Sequence, residues 1–201
     1  MKLKTQILAL GFAGTLLAGL AGGIGLVSTG MLGSAVDDSI LAGQAQQASQ
    51  EADMMHDAVR GDAQLALLGA FEKNAERIAE ARKGLDEHSK TFDKALDQLA
   101  TYPQSEASRA ALAAVRPLVR KYVEAAERVI KASDGDAQAA LALVPPLQGA
   151  FSELEDRMAS LSELLEAQGT ELNTAAKTSV ERSRFAIGTA MALATIVMVL
   201  A

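Results

Sequence analysis

Two long uncharged stretches lie near the ends of the chain, and all charged residues except Lys2 and Lys4 lie between them. No Asp, Glu, Lys or Arg occurs from Thr5 to Val36, and none occurs from Phe185 to Ala201. A helix needs about 20 predominantly apolar residues to cross the hydrocarbon core of a bilayer. The pattern therefore predicts one transmembrane helix over residues 7–29 and a second over residues 185–201, which is short enough that we expect it to be truncated.

Basic residues indicate which way the first span is oriented. Lys2 and Lys4 precede the first apolar stretch, and no basic residue follows it until Arg60. Because Lys and Arg near a span favour the cytoplasmic side, we expect residues 1–6 in the cytoplasm and residues 30–184 outside it. The apolar stretch is far longer than the roughly 7–15 residues of a cleaved secretory signal, which favours an uncleaved anchor.

Helix breakers divide the stretch between the apolar ends into four segments. The breaks are Tyr102-Pro103, the run from Ser133 to Asp136 and a weaker one near Gly69 to Asn74. The predicted helices cover residues 33–69, 74–101, 104–133 and 136–184. In each, apolar or small residues recur at alternating spacings of three and four, as in coiled coils. The pattern predicts an all-α fold: an antiparallel up-down four-helix bundle flanked by two transmembrane helices.

Pro145-Pro146 interrupts the last predicted helix about one-fifth of the way along. Proline inside a helix removes a backbone donor and bends or breaks the helix. Either the helix proper begins at Pro146, or it is kinked there. The first and last predicted helices are the longest, so we expect them to continue from the spans, with the connections at 69–74 and 133–136 at the membrane-distal end.

Composition and charge exclude or disfavour several classes of function. The chain has no cysteine, which excludes disulfides, thiolate metal sites and a cysteine nucleophile. Without Lys2 and Lys4, 17 basic residues stand against 25 acidic ones, which disfavours nucleic acid as a partner. The two histidines lie on different predicted helices, and the sequence has no glycine-rich phosphate loop. We therefore expect neither an enzyme nor a cofactor.

The candidate site lies on the first predicted helix, where Asp53, His56 and Arg60 recur at helical spacing together with Ser49. A stripe of this kind is more typical of solvent or a subunit interface than of a pocket. Arg60 is the only basic residue of that helix, and its guanidinium suits a carboxylate ligand. The alternative for Arg60 is an ion pair within the helix, with Asp57.

Three further interpretations concern the helix that faces Arg60 and the two histidines. Gln148 and Ser152 on the last predicted helix are expected at the height of Arg60. His56 suggests a pH sensor or, with two neighbouring methionines, a soft-metal ligand, and both are the weaker interpretations. His88 occupies an apolar seam position, which predicts a buried structural histidine.

The pattern resembles the sensory region of methyl-accepting chemotaxis proteins, which are bacterial inner-membrane receptors with a periplasmic four-helix-bundle sensor. The resemblance rests on the two spans, on the heptads and on three stretches, which are residues 53–62 (DMMHDAVRGD), 85–88 (LDEH) and 151–155 (FSELE). It implies a homodimer that binds a small molecule, such as an amino or organic acid, between subunits, or that binds a periplasmic binding protein. Members of that family grip a ligand carboxylate with arginines on the first helix.

The resemblance also implies that the chain is part of a longer receptor. Members of the family continue beyond the second span into a HAMP linker and a cytoplasmic coiled coil, and displacement of the last helix carries the signal inward. We therefore expect the chain to be the N-terminal part of such a receptor. The alternatives are the sensor region of a membrane histidine kinase or diguanylate cyclase, and a non-sensory membrane-anchored helical spacer.

Overall fold

The computed structural model describes the backbone of residues 3–200 and consists of helices. They are α1 (Leu3–Glu72), α2 (Ala75–Thr101), α3 (Glu106–Ser133), α4 (Ala137–Ala142) and α5 (Val144–Leu200). No strand occurs among these residues, which confirms the predicted all-α class. The predicted cytoplasmic residues Met1 and Lys2, and Ala201 of the predicted truncated span, lie outside the described residues.

Local capping explains where the inner helices begin. The side chain of Asn74 accepts a hydrogen bond from the backbone N–H of Arg77, and that of Ser105 accepts one from Ser108. Each satisfies a donor that the first turn of a helix leaves free. The predicted ends of α2 at residue 101 and of α3 at residue 133 are confirmed, whereas α1 runs three residues beyond its predicted end.

The last predicted helix is two helices, which corrects the predicted range 136–184. The short α4 ends at Ala142, and α5 begins at Val144. Pro145 and Pro146 therefore lie in the first turn of α5, where a missing N–H leaves no helical bond unmade. The first of the two alternatives, a helix that begins at Pro146, is therefore correct to within two residues.

The structure divides into two compact units, of which one contains residues 41–169. Its hydrophobic core draws on α1, α2, α3 and α5. The predicted apolar seams supply much of that core, including Ala45, Ala48, Ala52, Val59, Leu85, Phe92, Leu99, Val115, Tyr122, Val129, Leu147, Phe151, Leu154, Met158, Leu161 and Leu165. The buried apolar positions of α1 are mostly alanines.

The other unit contains residues 1–40 and 170–201 and exposes large apolar side chains. Phe12, Leu26 and Phe185 are each more than 70% exposed, at 72%, 78% and 78%. Among the described residues, one helical segment, Gly14–Glu72, is long and apolar enough to cross a membrane. Leu17, Leu20 and other apolar residues of α1 also line a groove with apolar residues of α5 in this unit.

A polar contact joins α1 to α2 within residues 41–169. Asp62 is 7% exposed, and its Oδ2 lies 2.7 Å from Nδ1 of His88. Burial raises the pKa of the Asp62 carboxyl, while the hydrogen bond from His88 acts in the opposite direction. The His88 side chain is 36% exposed, so the prediction of a buried histidine is wrong. The apolar seam position brings His88 to the edge of the core, where it reaches a buried carboxylate.

The absence of a side chain at Gly84 makes room for this carboxylate. A Cβ atom added at Gly84 would collide with Oδ1 of Asp62, whereas one added at Gly61 would meet no other atom within 4 Å. The two glycines lie inside helices α2 and α1, so they share the same cost in helix propensity. They differ in what surrounds them.

We predict opposite effects for alanine at the two positions. Gly84→Ala should lower the free energy of unfolding by about 1–3 kcal/mol, because Asp62 must leave its place beside His88. Gly61→Ala should raise it by up to about 1 kcal/mol through helix propensity alone. Urea unfolding of the full chain in detergent micelles, followed by circular dichroism, measures both. Equal stabilities of the two variants would contradict this account of the contact.

Candidate functional site

His56 lies in the centre of the candidate site and is 2% exposed. Its Nε2 is 3.2 Å from the backbone carbonyl oxygen of Phe151 on α5. Because a carbonyl can only accept, Nε2 carries the hydrogen and donates it. From α3, the Tyr122 hydroxyl donates to the backbone carbonyl of His56 over 2.9 Å. One residue of α1 is thus hydrogen-bonded to both α3 and α5.

The three rings form an aromatic cluster, which we define as His56, Tyr122 and Phe151. The imidazole stacks on the Phe151 ring with centroids 4.0 Å apart and planes 12° from parallel. Tyr122 lies edge-on to Phe151 at 5.9 Å and is tilted against His56 at 5.1 Å. Such pairs contribute about 0.5–1.5 kcal/mol each beyond the area that they bury. The cluster therefore holds α1, α3 and α5 together.

Arg60 extends the cluster toward solvent. Its Cζ atom is 4.0 Å from the centroid of the Phe151 ring, which is a cation–π contact. Its Nη2 donates to Oδ1 of Asp57 over 2.7 Å, so the ion pair within the helix, predicted as the alternative to ligand binding, is present. The Arg60 side chain remains 36% exposed while it contacts both Asp57 and Phe151.

The polar stripe on α1 is divided between core and surface. Ser49 and His56 are buried, and the Ser49 hydroxyl lies 3.1 Å from that of Ser162 on α5. Asp53 is exposed, as a solvated stripe predicts. The interpretation of the whole stripe as a solvent or subunit face is wrong for Ser49 and His56, because both contact α5 of the same chain.

Gln148 and Ser152 are exposed on α5. They lie three residues before and one residue after Phe151, whose ring contacts Arg60. Phe151 thus brings this part of α5 to the height of Arg60, where the sequence places Gln148 and Ser152. Ligand contact by these two residues, and by Asp53, stays a prediction.

Burial controls the charge of the cluster. It lowers the pKa of His56 below the usual 6.5, and the Phe151 carbonyl and the carboxylates of Asp57, Asp53 and Glu155 oppose this only in part. Burial also raises the pKa of the Tyr122 hydroxyl. At neutral pH both rings are therefore uncharged, and the cluster is a packing and hydrogen-bonding element.

The sequence did not single out Tyr122, Phe151 or Asp62 as functional positions. Tyr122 and Phe151 occupy apolar heptad positions, and Phe151 and Asp62 also lie in stretches that carry the family resemblance, but no local pattern marks any of the three as part of a site. Within the described part of the chain, no group of three or more His, Cys, Asp or Glu side chains is placed to hold a metal ion.

Comparison of the chain with protein-family models, with curated proteins and with solved structures finds no match.

We predict that the buried His56 makes the fold less stable in acid. The unfolded chain takes up a proton near pH 6.5 and the folded chain only at lower pH, so the free energy of unfolding should fall as the pH drops below about 6.5. His56→Phe, which keeps a ring against Phe151, should weaken this loss. Urea unfolding of both proteins between about pH 7.5 and pH 5 measures the difference.

The effect of His56 on stability can be separated from that of Asp62 and His88, the other titrating groups named above. The raised pKa of Asp62 acts with the opposite sign, since its folded form prefers the proton, and it is common to both proteins. His88→Gln leaves the cluster intact and should retain the part of the loss that His56 causes. A pH dependence in His56→Phe as steep as in the wild type would exclude His56 as its source.

Proposed function

We propose that the chain is the sensory region of a transmembrane receptor of the methyl-accepting chemotaxis type. In this proposal residues 30–184 form an antiparallel up-down four-helix bundle in the periplasm, between a first span at residues 7–29 and a second at residues 185–201. The N-terminus lies in the cytoplasm of a bacterial cell, and the receptor is a homodimer in the inner membrane.

Pairs of contacts support the antiparallel arrangement. For each pair of helices, the residue number of the contact on one helix falls as the number on the other helix rises. Between α2 and α3, Asp97 pairs with Arg116, and Arg82 pairs with Asp134 at the C-terminal cap of α3. Between α1 and α5, Ser49 meets Ser162 and His56 meets Phe151. Between α3 and α5, Ser105 bonds to Gln168 and Lys121 to Glu153, which repeats the same order.

One observation carries the sensory proposal: the contacts of Phe151 with His56 and Arg60 join the two helices that contain the predicted spans. His56 and Arg60 belong to α1, and Phe151 belongs to α5. A ligand carboxylate on Arg60 would compete with Asp57 and alter the position of the guanidinium over the ring. Such binding favours one packing of α1 against α5 over another, which is the way in which ligands shift a two-state equilibrium.

The ligand in this proposal is a small amino or organic acid, or a ligand-loaded periplasmic binding protein. Arg60 pairs with its carboxylate, and the exposed side chains of Asp53, Gln148 and Ser152 supply polar contacts. The buried His56 contributes indirectly, because it stacks on Phe151 and holds that ring in place. Displacement of α5 carries the signal inward. The same sensor on a membrane histidine kinase or diguanylate cyclase would use the same contacts and differ in its output.

We predict that the middle of the chain is exported. The chain has no cysteine, so a single introduced one is labelled without background. A membrane-impermeant maleimide added to intact spheroplasts should label Ala110→Cys, which is exposed on α3. Lys4→Cys should be labelled only after the membrane is permeabilised, because the basic N-terminus stays inside. The reverse pattern would overturn the topology.

We also predict that Arg60 determines ligand affinity. Calorimetric titration of the full chain in nanodiscs with a panel of amino and organic acids should find a saturable ligand. Loss of a bidentate charged contact in Arg60→Ala should weaken its binding by about 10- to 100-fold.

Arg120→Ala removes an exposed cation elsewhere, on α3, and should leave the affinity unchanged. Unaltered binding by Arg60→Ala would exclude Arg60 as a ligand contact. A panel without any saturable ligand would favour the non-sensory spacer.

A further inference from the structure

A groove of about 330 Å³ lies between α2 and α3, on helices that do not carry the aromatic cluster's His56 or Phe151. Leu85 and Ile130 lie in it, and both are almost fully buried, at 5% and 2% exposure. They form an apolar floor. Pockets for small molecules begin at about 300 Å³, so the groove has room for one small ligand.

Four charged side chains surround this floor. Arg82 and Asp86 come from α2, and Glu127 and Lys131 come from α3. Two are cationic and two are anionic, although the chain as a whole carries a net charge of −6. The groove is thus locally balanced on a molecule that is acidic elsewhere.

The charges differ in whether they are already paired. Arg82 forms an ion pair with Asp134, and Asp86 forms one with Lys90 at 2.6 Å. Glu127 and Lys131 lie one helical turn apart, a spacing at which such pairs commonly form. Within the described part of the chain, however, no ion pair involves either of them. One free carboxylate and one free ammonium therefore border the apolar floor.

We propose that this groove binds a zwitterionic amino acid with a short aliphatic side chain. Lys131, with Arg82 beside it, would take the carboxylate, and Glu127, with Asp86, would take the ammonium group. The aliphatic side chain would lie on Leu85 and Ile130. A ligand with only one of the two charges meets a like charge in the groove, and that repulsion provides the specificity.

The probe is L-leucine, titrated calorimetrically into the full chain in nanodiscs. Two analogues each lack one charge: 4-methylpentanoate has no ammonium group, and 3-methylbutylamine has no carboxylate. L-leucine should bind saturably, and each analogue should bind at least about 5-fold more weakly, as expected for loss of one partly exposed charge pair. Absence of saturable leucine binding, or equal binding of leucine and both analogues, would overturn the proposal.

Charge-removing variants test the assignment of the two ends. Glu127→Gln and Lys131→Gln should each weaken leucine binding about 5-fold. Glu127→Gln should at the same time improve binding of 4-methylpentanoate, because the repulsive carboxylate is gone. Glu124→Gln and Arg120→Gln make the same charge changes at exposed positions of α3 outside the groove, and should stay within about 2-fold of the wild type. Equal losses in the groove and control variants would overturn the assignment.

Arg60→Ala distinguishes this proposal from the sensory one. Leucine binding to the groove should persist in that variant, because Arg60 does not line the groove. If Arg60→Ala abolishes leucine binding, the groove proposal fails and the Arg60 site is the one that binds leucine. If leucine binds the groove while no ligand depends on Arg60, the groove proposal stands and the sensory assignment of Arg60 fails.

Discussion

The stacking of the His56 imidazole on the Phe151 ring is the contact on which the polar contacts within residues 41–169 depend. It removes the imidazole from water, and burial keeps the imidazole neutral with Nε2 as a donor. His56 Nε2 donates its hydrogen bond to the backbone carbonyl of Phe151. Tyr122 closes the third side, and Arg60 lies over the same Phe151 ring. Three helices are thus joined through one aromatic side chain.

Small residues on α1 explain why polar side chains can be buried there. The core positions of this helix are mostly alanines, which let neighbouring helices approach its backbone closely. Side chains next to the seam, including Ser49, His56 and Asp62, are then enclosed instead of projecting into solvent. Each of the three has a hydrogen-bond partner on another helix, which offsets the cost of burying it. Gly84 provides the space that Asp62 needs.

The two proposed ligand sites differ in what a bound molecule would change. A ligand on Arg60 would act on α1 and α5, the two helices that contain the proposed membrane spans. A zwitterion between α2 and α3 would stabilise the packing of the inner pair. Binding in the groove would favour whichever bundle packing keeps Glu127 and Lys131 beside Leu85 and Ile130. Neither site requires the other.

Local chemistry in the sequence determined the all-helical class, the ends of α2 and α3 and most of the buried seam, because caps, breakers and apolar periodicity act within a few residues. Only the tertiary structure decided which polar side chains are buried. His56 and Asp53 share one stripe, yet His56 lies in the core and Asp53 in water. That outcome depends on the register in which α5 places Phe151 against α1, and a periodicity common to every helix of the bundle carries no information on register.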